Sequence, residues 1–68
     1  MHETDHSHKN SLFYTRRDNE VLGPFPVGQI TRYLLLGRVK LSDEISEDHE
    51  SWQVIANRPE LIPDVLNL

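Results

Sequence analysis

Residues 23–37, Gly-Pro-Phe-Pro-Val-Gly-Gln-Ile-Thr-Arg-Tyr-Leu-Leu-Leu-Gly, leave few folds open to this chain. The stretch opens on a Gly-Pro pair that reverses the backbone and closes on a glycine. Between them Val27, Ile30 and Leu34 recur at i, i+3 and i+7 with Tyr33 beside them, which predicts one apolar helix face. Thr31 and Arg32 fall on the other side. Pro26 suits a first helical turn, where a missing N–H matters little. Gly37 suits the position just past the end, where a left-handed conformation is needed. The start is weaker, since no Ser, Thr, Asp or Asn stands at the cap and Gly28 is a poor helix former.

The 68 residues suffice for one small domain with a thin core. With no cysteine, neither a disulfide nor a thiolate metal site can staple it. The large side chains available as core material are Phe13, Tyr14, Phe25, Tyr33 and Trp52, with the Leu, Ile and Val around them. The net charge of −4 argues against a nucleic-acid-binding domain. No apolar run has the length of a membrane span, and residues 1–11 are too polar for a secretion signal. The lack of cysteine fits a cytoplasmic setting.

In chain order, residues 1–11 read as a disordered polar tail. Its His2, His6 and His8, with Glu3 and Asp5, are of types that hold Zn²⁺ or Ni²⁺, but a solvated tail is the plainer reading. Residues 12–16 read as a strand with Leu12 and Tyr14 on one face and Phe13 and Thr15 on the other. Residues 17–20 read as a hairpin turn, and Val21 and Leu22 begin a return strand that Gly23-Pro24 stops. After the helix, residues 43–46 read as a short strand, 47–51 as an acidic turn and 52–55 as a last strand. Residues 57–62 suggest one helical turn that Pro63 interrupts. The predicted fold class is α+β, a small antiparallel β-sheet with one helix packed on it, in the order β-β-α-β-β. Residues 63–68 form a tail or the start of a linker. The apolar Val65, Leu66 and Leu68 suggest the N-terminal module of a longer protein.

At Gly23-Pro24-Phe25 the pattern resembles the GYF domain, a small adaptor that binds proline-rich peptides, and especially its shorter bacterial branch. Ile30 falls on that family's Met/Val position, Tyr33 on its helix Trp and Gly37 on its next glycine. Its Trp-x-Tyr strand is similar to Leu12-x-Tyr14, and the Trp-Gln pair of the bacterial branch is similar to Trp52-Gln53. Arg38-Val39 stand where the family has Tyr-Phe. The likeness covers residues 12–61 and implies a domain at residues 12–62.

The resemblance implies a protein-interaction module that takes a proline-rich or extended peptide in a shallow aromatic groove. A polyproline II segment suits such a groove, because it is extended before it binds and its carbonyls are free for phenol or indole donors. Tyr14, Phe25 and Tyr33 are the candidate walls, Ile30 the floor, and Trp52 completes the peptide-binding set. For Phe25, Ile30 and Trp52 plain core packing is the competing role. Arg16, Arg32 and Arg38 either ring the site and favour acidic ligands or are ordinary surface charge. Catalysis is not expected: no nucleophile elbow, triad setting or phosphate loop stands out, and His49, between Asp48 and Glu50, has no partner nucleophile. No cofactor and no metal is expected. The alternative function is a structural or self-associating module, a homodimer formed through open sheet edges.

Overall fold

The computed structural model describes residues 11–66. The expected histidine-bearing tail therefore lies, apart from Ser11, outside the described residues. The order is β1 (Leu12–Arg17), β2 (Glu20–Pro26), helix α1 (Val27–Leu36), β3 (Glu44–Ser46) and β4 (Gln53–Val54). Three 3₁₀ turns follow, at Ile55–Asn57, Pro59–Leu61 and Asp64–Leu66. The strands form one antiparallel sheet in the order β2-β1-β3-β4. This is the predicted α+β architecture, a small antiparallel sheet with one helix. Among the described residues, no helix is long and apolar enough to cross a membrane.

β1 alternates as its sequence does. Phe13 and Thr15 are buried, while Tyr14 and Arg16 are half-buried on the other face. A two-residue turn at Asp18-Asn19 leads into β2, with Asp18 in the left-handed region at φ 56°. β2 does not stop at Gly23-Pro24, as the sequence suggested. It runs on to Pro26, because β2 is an edge strand and prolines there forfeit no ladder bond to a further neighbour. The register moves between Phe13↔Phe25 and Thr15↔Leu22, so Gly23 and Pro24 together stand opposite Tyr14 as a bulge. The Gly23-Pro24 bond is cis, and Gly23 has φ 113°. A Cβ at Gly23 would lie 2.9 Å from the Phe13 carbonyl oxygen.

α1 begins directly after β2. Pro26 is its cap rather than part of the first turn, and no side chain caps it. Gly37 ends the helix at φ 78°. Its N–H donates to the Leu34 carbonyl and that of Arg38 to the Tyr33 carbonyl, the Schellman arrangement. Ile30 and Leu34 are buried, whereas Leu35 and Leu36 face out and Val27 lies at the margin.

The core is chiefly aliphatic: Ile30, Leu34, Val39, Ile45, Ile55 and Leu61 surround Phe13. Of the aromatics expected to fill it, only Phe13 is fully inside, and Tyr14, Phe25, Tyr33 and Trp52 are half-buried. β4 ends at Val54, earlier than expected, because Ile55 turns into the core at the start of a 3₁₀ turn. The segment between α1 and β3 is fastened by a two-pronged ion pair. Arg17 Nε and Nη2 donate to Asp43 Oδ1 and Oδ2 at 2.9 and 2.8 Å, and Arg17 Nη2 also donates to the Arg38 carbonyl. The Lys40 N–H donates to the same carboxylate. Hydrogen bonds from Arg17 hold the buried Asp43 carboxyl below the ordinary carboxylate range, against the opposing effect of burial.

Two expectations follow for urea unfolding. Gly23→Ala lowers stability by roughly 1–3 kcal/mol, since both the backbone angle and the Phe13 carbonyl oppose a side chain. Gly28→Ala, where a Cβ meets nothing within 4 Å, raises it by about 0.5 kcal/mol. Because Asp43 favours its ionised form in the fold, its contribution is complete above the ordinary carboxylate range. It is lost as pH falls below that range. Asp43→Ala therefore costs roughly 1–2 kcal/mol at pH 7, at the low end because Arg17 is half in water, and flattens the acid limb of the stability curve.

Candidate functional site

The five residues singled out from the sequence do not form one groove. Ile30 is 0% exposed and belongs to the core, so it cannot be touched by a ligand. The other four divide into two ring clusters, with no ring contact joining them among the described residues.

The first cluster lies on the sheet face turned away from Phe13. Tyr14 on β1 pairs with Ser46 on β3, and Trp52 immediately precedes β4. Between their rings stands His49, 4.7 Å from Tyr14 and 5.7 Å from Trp52, edge-to-face with both. Arg16, two residues along β1, places its guanidinium 4.2 Å from the Trp52 ring centroid while Nε donates to Glu44 Oε1 at 2.8 Å. Neither the Tyr14 hydroxyl nor the Trp52 indole N–H has a hydrogen-bond partner among the described residues. Half-buried phenol and indole donors usually find one.

His49 reaches this position through a loop built on Asp48. Asp48 Oδ1 accepts the Ser46 hydroxyl and the N–H groups of Glu50 and Ser51, all at 2.8–2.9 Å. The His49 N–H in turn donates to Ser46 Oγ. These bonds hold the Asp48 carboxyl down to about 2, the backbone donors contributing most. They also keep His49 in the left-handed region at φ 68°. Ser46, Asp48 and His49 thus meet, but not as a catalytic triad. The serine hydroxyl donates to the aspartate, and the histidine brings its backbone rather than its imidazole.

The second cluster lies on the helix side. Phe25 and Tyr33 meet edge-to-face at 5.3 Å and pack against the core. Gln29 Nε2 donates to the Tyr33 hydroxyl oxygen at 2.6 Å, and Arg38 lies 5.7 Å from the Tyr33 ring centroid. These two rings pack at the margin of the core. The arginines do not ring a site either: Arg16 is tied to Glu44, Arg38 lies over Tyr33, and Arg32 is exposed on α1.

A shallow depression of about 450 Å³ lies on the outer side of α1, lined by Gly28, Thr31, Arg32, Leu35 and Leu36. It holds no aromatic ring and no acid–base pair. A smaller one of about 240 Å³ lies beside the Asp48 loop, lined by Ser46, Glu47, Asp48, Ser51, Gln53 and Arg58. Among the described residues, no group of His, Asp or Glu is placed to hold a metal ion. Sequence reasoning treated His49 only as a possible catalytic imidazole and missed its place between Tyr14 and Trp52. The legible signal was the spacing of Ser46, Asp48 and Ser51, which suits a side-chain-capped turn.

Comparison with family models, curated proteins and solved structures finds no match to this chain. The likeness to the GYF domain therefore rests on the motif residues alone.

The loop gives a pH expectation. Asp48 has a folded value below its reference of 3.8, so the loop is fully held above that pH and is released as pH falls through about 2. The amide signals of Glu50 and Ser51 should move with that midpoint, followed by the His49 and Trp52 ring signals. In Asp48→Ala the loop should be loosened at every pH.

Proposed function

We propose that this domain is a protein-interaction module that holds an extended, proline-containing segment against the Tyr14–His49–Trp52 face, without chemistry of its own. The observation that carries this reading is a pair of donors without a partner among the described residues, the Tyr14 hydroxyl and the Trp52 N–H, on two half-buried rings with the exposed His49 between them. A polyproline II segment offers the complement, since it makes no internal hydrogen bonds and its carbonyls point outward. Three rings stand in succession with centroids 4.7 and 5.7 Å apart, a row on which the rings of an extended segment's prolines can pack. The reading agrees in kind with what the Gly-Pro-Phe resemblance implies, but moves the contact from Phe25 and Tyr33 toward His49 and Trp52.

Self-association through sheet edges has less behind it. β2 carries Pro24 and Pro26 and is interrupted by the bulge, and β4 is two residues long.

Titration of the ¹⁵N-labelled domain with a proline-rich peptide tests the proposal. The Trp52 indole signal and the amides of Tyr14 and His49 should shift together. Tyr14→Phe, which keeps the ring and removes the donor, should weaken binding roughly 3- to 10-fold while changing stability by less than about 0.5 kcal/mol. Shifts confined to Phe25 and Tyr33, or equal losses of binding and stability in Tyr14→Phe, would sink it.

A further inference from the structure

The charges near the Tyr14–His49–Trp52 face bear on the kind of peptide the proposed docking would take. Arg16 is the cation on that face, and Glu44 meets it at 2.8 Å. The loop that carries His49 also carries Glu47, Asp48 and Glu50, and among the described residues none of the three forms an ion pair. Asp48 uses Oδ1 to cap the loop. The side chains of Glu47 and Glu50, both exposed, make no hydrogen bond among the described residues. Arg58, which borders the depression beside Glu47 and Asp48, is engaged by Glu60 at 2.6 Å and by Gln53 at 3.2 Å. Among the described residues the cations outside any ion pair, Arg32, Arg38 and Lys40, sit on α1 and the segment after it. The loop that brings His49 to the sheet face thus carries three carboxylates that no ion pair among the described residues offsets.

We propose that the segment this face accepts is cationic: an extended proline-containing peptide with Lys or Arg beside the prolines, which Glu47 and Glu50 attract. The proposal rests on the peptide-docking reading above and adds the sign of the ligand. It reverses the preference for acidic ligands that the arginines suggest in the sequence. Exposed carboxylates act through water, so their influence is moderate, is felt first in the rate of encounter, and is screened by salt.

The test uses three peptides with one proline core, flanked by two Arg, two Gln or two Glu, each titrated into the intact chain while the Trp52 indole signal is followed. At low salt the Arg peptide should bind about fivefold tighter than the Gln peptide, and the Glu peptide about fivefold weaker. The spread should collapse near 0.5 M NaCl, where the Debye length is only about 4 Å. The Glu47→Gln/Glu50→Gln double variant, which removes no bond of the fold, should bring the three affinities together and leave that of the Gln peptide unchanged. Equal affinities of all three for the unaltered chain would overturn the charge proposal and leave the docking reading standing. If no peptide moves the Trp52 signal, or if that signal moves with protein concentration alone, a peptide is not the occupant and both fall.

Discussion

The absent side chain at Gly23 sets the parity of β2, and most of the domain follows from it. Neighbouring residues of a strand face opposite ways, so one added residue exchanges the two faces for everything beyond it. The bulge at Gly23-Pro24 adds that residue and returns Phe25 to the side of Phe13, its register partner. Without it Phe25 would leave the helix side and Tyr33 would lose its ring contact. The approach to the Phe13 carbonyl and the positive φ leave room there for hydrogen only.

With the parity set, the helix needs no connecting loop. Pro26 closes β2 and caps α1 with one φ of −68°, so the chain passes from strand to helix within a residue. Ile30 and Leu34 then cover the sheet, and Gly37 turns the chain back so that Val39 enters the same core. The Arg17–Asp43 pair ties that return to the hairpin. A branched aliphatic core of this size closes tightly around Phe13. The larger rings are left at its boundary, where their polar tips stay in reach of water or a ligand.

The sequence made the fold class legible because its signals were local. The Val27-Ile30-Leu34 period, the closing glycine and the alternation of Leu12, Phe13, Tyr14 and Thr15 all report on near neighbours. The composition of the site was less legible, since it depends on contacts across strands. Tyr14 and Trp52 are far apart in the chain and are linked only through His49, which the Asp48 loop sets between their rings. His49 is unremarkable until three hydrogen bonds to one carboxylate oxygen fix the turn beside it. Ile30 was misplaced for the opposite reason: its position on the apolar face was right, but that face closes completely. The length of β2 was misjudged because a proline bars a central strand and not an edge.

The same edges decide how a segment of another chain can be held. Adding a strand needs a row of free backbone donors and acceptors on a straight edge. β2 interrupts that row with two prolines and a bulge, and β4 is too short to supply one. What remains for the proposed docking is the open face of the sheet, where recognition would come from side chains. Rings suit this role because they give contact area at little entropic cost, and a ligand already extended gives up little of its own on binding. The docking proposed for the Tyr14–His49–Trp52 face therefore calls for a stiff ligand that does not offer a strand.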